Sequence, residues 1–134
     1  MSRFRFRLEA VRKLRQRAEE DRAGDLAEAM SDAGDAKHAQ ERVEEMERAG
    51  REHLKRLNGG VAQMKSVQVM LEQLEHHHDE AREKSKEAEA AVRDRQAAFV
   101  NAVTERRAIE RLKDRREKTW RQDEMRREQK TLDE

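Results

Sequence analysis

Residues 58–60 read Asn-Gly-Gly, and they separate two long charged stretches that contain no proline. Asparagine and glycine tolerate positive φ, which suits the end of a helix and a reversal of the chain. Strong helix formers, chiefly Ala, Leu, Glu, Lys, Arg and Gln, dominate both stretches. The sequence therefore predicts an all-α fold in which two long helices form an antiparallel coiled-coil hairpin.

The hairpin is expected to be a single domain over residues 1–134. We place helix one at about 3–57, the turn at 58–61 and helix two at about 62–130, so the second helix overhangs the first. Pairing outward from the turn sets Phe4 opposite residue 115. Trp120, Met125 and Leu132 would then lie beyond the first helix, where Trp120 is either an anchor for a partner or packs locally.

The composition argues against a compact core. Charged residues make up 46% of the chain and aromatic residues 3%, whereas an average globular protein is roughly 25% charged. There is no cysteine, which excludes disulfides and thiolate chemistry. No window approaches the roughly 18 apolar residues of a membrane span, so we expect a soluble, cytoplasmic protein.

The formal net charge of +1 is the sum of basic and acidic segments that follow one another along the chain. Residues 1–17 carry seven basic side chains against Glu9, and residues 106–121 carry eight against three acids, whereas residues 18–105 sum to −8. An antiparallel hairpin brings the two basic segments together. We call residues 3–17 and 106–121 the basic end.

Apolar residues at alternating steps of three and four mark the helix seam. In the second half one register runs through Leu71, Leu74, His78, Ala81, Ser85, Ala88, Val92, Arg95, Phe99, Ala102, Arg106 and Ile109. In the first half a compatible register runs through Phe4, Leu8, Val11, Ala18, Ala29, Ala36, Ala39, Val43 and Met46, and Leu26, Met30 and Ala33 are displaced from it. This drift predicts a stutter in helix one.

Neither a metal site nor an active site is predicted. Three successive histidines, His76 to His78, point in three directions on a helix, so His76 shares a face only with Glu72 and Glu80. Carboxylates lie beside Lys or Arg at helical spacing, as on an ion-paired surface. No phosphate-binding loop or catalytic nucleophile is available. We therefore expect no enzyme, no cofactor, no metal and no small-molecule substrate.

Two apolar features remain open. RFRFR at 3–7 alternates like a strand before a helical pattern begins, and it is either a hydrophobic staple for the coiled coil or a docking surface. The segment after the turn is apolar on more than one face, so the helix is irregular there or a second interaction surface exists. That possible surface consists of Val61, Met64, Val67 and Met70.

The segments FRFRLEAVRKLRQRAEE (4–20) and ERRAIERLKDRREKTWRQDEMRREQKTLDE (105–134) resemble the two ends of the FliJ family, the small coiled-coil component of the flagellar type III export apparatus. The resemblance implies a stalk whose paired termini enter the central pore of the hexameric export ATPase. It implies that the rest of the hairpin contacts the cytoplasmic domain of the export gate and helps to recycle export chaperones. The location implied is cytoplasmic, peripheral at the inner-membrane export apparatus.

Candidate residues follow for two partners. For the ATPase they are the aromatic, apolar and basic side chains of the paired termini: Arg3, Phe4, Arg5, Phe6, Arg7, Leu8, Val11, Arg12, Arg111, Arg115, Arg116, Trp120, Arg121 and Gln129. For the export gate they are Val61, Met64, Val67 and Met70.

Two other functions compete with the export stalk. One is the equivalent stalk of an injectisome, which the Phe-Arg-Phe start disfavours. The other is a basic coiled coil that binds nucleic acid through phosphates. Acids interleave with the bases after Arg106, whereas a nucleic-acid domain presents a sustained basic face, so no nucleic acid is expected as a partner.

Overall fold

Two helices account for nearly all of the chain. The computed structural model describes residues 3–57 and 59–134. Within these ranges the chain forms α1, Glu9–Arg56, and α2, Val61–Asp133, and no strand. The helices pack against each other, which confirms the predicted all-α hairpin.

Contacts between the helices run in antiparallel order. Residues early in α1 pair with residues late in α2, and residues late in α1 pair with residues early in α2. The pairs are Glu9 with Lys113, Arg12 with Glu110, Arg15 with Glu105, Glu19 with Arg106, Glu44 with His78 and Gly50 with Leu71.

The first helix begins later than residue 3, where the sequence placed its start. Residues 3–6 have no regular structure, and the Glu9 amide donates to the Phe6 carbonyl at 3.1 Å as the helix begins. Glu9 puts a carboxylate in the first turn, where the helix dipole favours negative charge. The preceding arginines and phenylalanines alternate between exposed and buried positions, a period of two that a helix cannot provide.

The reversal lies between Arg56 and Val61. Asn58 is outside the described residues. The Gly60 carbonyl accepts the first amides of α2, from Gln63 at 3.1 Å and Met64 at 3.4 Å. Gly59 and Gly60 do not have the expected positive φ. A Cβ on Gly59 would overlap the end of the exposed Gln63 side chain, which would have to move aside.

The chain forms two compact units. Unit 1 contains the chain up to Gly24 together with Gln96–Glu134, and unit 2 is Asp25–Arg95. In unit 1 the buried apolar side chains are Phe6, Ala102 and Ile109. In unit 2 the buried residues are small or polar: Ala29, Glu47, Gly50 and Ser85.

The buried face of α1 in unit 2 keeps one heptad register, so the predicted stutter is wrong there. Its buried and half-buried positions include Leu26, Ala29, Ala33, Ala36, Gln40, Val43, Glu47, Gly50 and Leu54. Gln40 and Glu47 occupy seam positions that a search for apolar residues does not select, because both are polar. Met30 and Met46 are apolar, yet they are exposed and lie outside the seam. On α2 the twelve predicted seam positions are buried or half-buried except Arg95.

Over the described residues, neither helix contains a stretch apolar enough to cross a membrane.

Candidate partner-binding site

The two segments of the basic end lie side by side in unit 1. The ring of Phe4 packs on the ring of Trp120, with centroids 5.9 Å apart and planes inclined at 50°. Phe6 is 8% exposed, and the Arg116 guanidinium lies 5.9 Å from its ring centroid. The aromatic side chains of the extended segment before α1 thus cover the flank of α2, as a hydrophobic staple would. The arginines of the same segment face outward and form a basic edge.

Trp120 lies past the start of α1, as the sequence predicted, but it is half-buried and not exposed, because the extended segment before α1 packs on it. The expected pairing assumed a helix from residue 3, which rises about 1.5 Å per residue. The extended residues 3–6 advance about 3.3 Å per residue, so Phe4 reaches Trp120 instead of residue 115. Met125 and Leu132 are exposed as predicted, at 64% and 85%.

Three acidic side chains of the basic end, Glu9, Glu110 and Glu117, have internal partners. The Arg12 guanidinium donates to Glu9 at 2.5 Å and to Glu110 at 3.2 Å, and Lys113 lies 3.7 Å from Glu9. The hydrogen bond from Arg12, supported by the charges of Arg12 and Lys113, holds the pKa of Glu9 below its ordinary value of 4.5. The same carboxylates, Glu9 first, raise the pKa of Arg12.

A second group of bonds continues this pairing between the helices. Glu19 bonds to Arg106, and Arg15 donates to the Glu105 carbonyl at 3.1 Å. The Glu117 carboxylate lies 3.1 Å from Arg121 on the same helix. Because these acids are paired, their charge is neutralised locally and the arginines around them determine the character of the surface.

Most of the predicted arginines face solvent. Arg3, Arg5 and Arg7 are exposed and have no carboxylate within 4 Å among the described residues, and the same is true of Arg111, Arg115 and Arg116. Arg121 is also exposed, although it pairs with Glu117. Of these arginines, Arg3, Arg5 and Arg121 line a cleft of about 910 Å³, together with Phe4, Phe6 and Trp120 among others.

The remaining ATPase candidates have different positions. Phe4, Leu8, Val11 and Trp120 are half-buried, so each keeps part of its surface for a partner. Phe6 is buried and Arg12 is held by two carboxylates, so both support the site from within. Gln129 is exposed nine residues after Trp120 and does not line the cleft.

The residues that join the two helices here are not evident from the sequence alone. Glu9, Glu19, Glu110 and Lys113 look like surface charges in the sequence, yet they form the inter-helix pairs. The sequence does contain a signal for these pairs. Arg12 and Glu19 lie at helical spacing along α1, and side chains of the opposite charge lie on the facing part of α2. Such a pattern becomes readable only when the register of the two helices is known.

The candidate gate residues in unit 2 are mostly exposed. Val61 is 69% exposed, Met70 42% and Met64 40%, while Val67 is half-buried. The helix is regular from Val61 onward, so local irregularity does not explain their apolar character. Neighbouring Val69 is 54% exposed and extends the apolar surface.

The histidines divide between two sides of α2. His76 and His77 lie 3.0 Å and 3.7 Å from the Glu80 carboxylate, whereas His78 reaches Glu44 on α1 at 3.2 Å. In the part of the chain that the structure describes, no three His, Cys, Asp or Glu side chains converge as metal ligands. His78 instead links the helices of unit 2 at a half-buried seam position.

The fold is an α-helical coiled-coil hairpin, and its unit 1 carries a surface of exposed arginines around packed aromatic side chains. The family described as "Flagellar FliJ protein" matches residues 4–134, and the chain belongs to the FliJ family. The protein is therefore a component of the flagellar export apparatus, as the resemblance predicted. No curated protein and no solved structure matches the chain.

Proposed function

We propose that this protein is the non-enzymatic central stalk of the flagellar type III export ATPase. In this role the basic end enters the pore of the hexameric ring and promotes assembly or turnover of the enzyme. The rest of the hairpin couples the ATPase to the cytoplasmic domain of the export gate and to the recycling of export chaperones. Family membership favours the flagellar apparatus over an injectisome.

The observation that carries the proposal is the Phe4–Trp120 pair inside a group of exposed arginines. Buried apolar and aromatic anchors supply most of the affinity of a protein interface, while complementary charge sets the association rate and the register. When the basic end enters the ring of the ATPase, the half-buried Trp120 can bury its remaining exposed surface against that ring. The exposed charges of Arg3, Arg5 and Arg7 can meet acidic side chains that line the ring.

The gate-binding surface is proposed from exposure. Val61, Met64 and Met70 present apolar side chains to solvent on a helix in which charged residues dominate. Methionine side chains are flexible and adapt to a partner surface. We assign the Val61–Met70 face of unit 2 to the export gate and the basic end of unit 1 to the ATPase.

A binding assay with the purified export ATPase from the same organism tests the first assignment. Trp120→Ala should weaken binding by about tenfold or more, the loss expected for truncating an interface anchor. The double variant Val67→Ala/Met70→Ala is the matched control, and it should bind the ATPase normally while binding the gate domain less tightly. If both variants bind the ATPase like the parent chain, the basic end is not the site.

Association kinetics separate the two roles within the basic end. Charge reversal of Arg3, Arg5 and Arg7 should slow association and reduce its dependence on salt, because steering by charge is lost. Trp120→Ala should instead accelerate dissociation. Arg12 is unsuitable for this test, because its reversal would break the pairs with Glu9 and Glu110.

A further inference from the structure

The outer face of α1 in unit 1 is basic and carries an exposed leucine. Leu14 is 65% exposed and lies in a shallow depression whose other residues are Ala10, Lys13, Gln16, Arg17 and Glu20. Spacings of three and four place Ala10, Leu14 and Arg17 on one side of the helix. This side is turned away from the seam, since the half-buried positions are Leu8, Glu9, Val11, Arg12, Arg15 and Glu19.

The extended segment before α1 adds three more cations. Arg3, Arg5 and Arg7 are exposed, while the phenylalanines between them turn inward to α2. Glu9, the one acid in residues 3–17, is already bonded to Arg12 and close to Lys113. We define the N-terminal basic surface as the exposed residues of these two parts: Arg3, Arg5, Arg7, Ala10, Lys13, Leu14 and Arg17.

We propose that the N-terminal basic surface binds the anionic surface of a lipid bilayer. Clusters of Lys and Arg are attracted to acidic headgroups, and each basic residue near the surface strengthens binding about fivefold. A leucine amid such a cluster enters the boundary between headgroups and acyl chains, as in amphipathic helices that lie on a membrane. The proposal does not depend on the proposed stalk function, because it concerns lipid alone.

Two observations favour lipid over nucleic acid at this surface. Leu14 gives an apolar contact that a phosphate backbone does not use but a bilayer does. The aromatic rings nearby, Phe4 and Trp120, pack against each other at 50°, so they are not arranged as open platforms on which bases stack. A bilayer interface requires only an amphipathic ring at headgroup depth.

Arg3, Arg5 and Arg7 belong both to the N-terminal basic surface and to the basic end that we propose binds the ATPase. If the basic end enters the ATPase ring, the same arginines cannot lie on a membrane at the same time. Lipid and ATPase would then compete for the chain. Vesicles containing anionic lipid should lower the occupancy of the ATPase, whereas uncharged vesicles should not.

Vesicle co-sedimentation of the full chain tests the proposal. The parent chain should bind vesicles of phosphatidylcholine mixed with phosphatidylglycerol and not vesicles of phosphatidylcholine alone, and added salt should release it. Arg3→Ala/Arg5→Ala/Arg7→Ala should lower the partition coefficient about a hundredfold, from about fivefold per arginine. These residues precede α1, so circular dichroism should show unchanged helix content.

A matched control removes the same charge elsewhere. Arg42, Arg82 and Arg93 are exposed in unit 2, and replacing all three with alanine should leave vesicle binding within a few-fold of the parent. Leu14→Ser should weaken it about tenfold, the effect of withdrawing one leucine from an apolar layer. Equal losses in the two arginine variants would overturn the proposal, because binding would then follow net charge alone.

Duplex DNA provides the opposing arm. The parent chain should bind DNA less tightly than anionic vesicles at the same salt concentration, and Leu14→Ser should not change DNA binding. If the chain binds DNA more tightly than vesicles and Leu14→Ser affects neither, the surface binds nucleic acid and the lipid proposal is wrong.

Discussion

Phe4 packs on Trp120 although 116 positions separate them in the sequence, and their ring centroids lie 5.9 Å apart. This contact joins the extended segment before α1 to the flank of α2. Residues 3–6 have no regular secondary structure, so aromatic packing helps to hold the segment in place. The surface arginines Arg3 and Arg5 are positioned by it.

A double-mutant cycle should detect this packing directly. Phe4→Ala and Trp120→Ala should each lower the thermal stability of unit 1, and the two effects should be non-additive by about 0.5–1.5 kcal/mol, the range for an aromatic pair. Thermal unfolding followed by circular dichroism measures it. Additive effects would show that the rings do not contact each other in solution.

Two glycines of α1 should respond differently to alanine. A Cβ on Gly34 would meet nothing within 4 Å, so Gly34→Ala should stabilise the chain by about 1 kcal/mol through helix propensity alone. A Cβ on Gly50 would lie 2.8 Å from Leu71 Cδ2. Gly50→Ala should therefore stabilise the chain less than Gly34→Ala does, because the Leu71 side chain must move. The melting temperatures of the two variants give the comparison, and an equal rise in both would contradict this close approach.

Glu47 should be a site where stability can be raised. It is 8% exposed at a seam position, and its Oε1 atom has no hydrogen-bond partner among the described residues, although Arg51 reaches Oε2 at 3.2 Å. A buried acceptor without a partner costs about 1–3 kcal/mol. Glu47→Met should therefore raise the free energy of unfolding by about 1 kcal/mol.

The control for this change is Glu45, which is exposed and pairs with Arg48. Glu45→Met should leave the free energy of unfolding nearly unchanged, because an exposed ion pair contributes little. A loss of stability in Glu47→Met would show that the carboxylate is satisfied in solution.

Acid should weaken unit 2 through Glu44. The hydrogen bond from His78, supported by one from Gln40, holds the pKa of Glu44 below its ordinary value of 4.5. The unfolded chain therefore binds this proton more readily than the folded chain. The stabilising contribution is complete above pH 4.5 and is lost as pH falls through the lower pKa of the folded state.

Melting temperatures measured across the acid range test this assignment. Glu44→Gln should make the decline below pH 4.5 less steep than in the parent chain. The exposed Glu52 is the control, and Glu52→Gln should retain the decline of the parent. Parallel curves for Glu44→Gln and the parent would argue against a role for the Glu44–His78 bond.

The hairpin was predictable from the sequence because its evidence is local. Proline-free helix formers and a single Asn-Gly-Gly break predict two helices whatever their packing. The seam of α2 was also readable from apolar spacing. The seam of α1 was not, because the half-buried Gln40 and the buried Glu47 occupy seam positions but look like surface residues in a sequence.

The site was predictable as a region but not in its geometry. Charge and aromatic residues located the basic end, yet the position of Trp120 depended on whether residues 3–6 are extended or helical. Exposed arginines such as Arg5 could not be told from the paired Arg12 by sequence alone. The difference lies in contacts with Glu110 on the other helix, which only the three-dimensional register reveals.

The central claim, that the basic end acts on the export ATPase, is tested most directly by steady-state ATP hydrolysis. The purified ATPase should turn over faster with the parent chain, and Trp120→Ala should remove most of that increase. Val67→Ala/Met70→Ala should retain it. If Trp120→Ala stimulates the ATPase like the parent while the Val67 and Met70 variant fails, the hairpin engages the ring through unit 2 and the account is wrong.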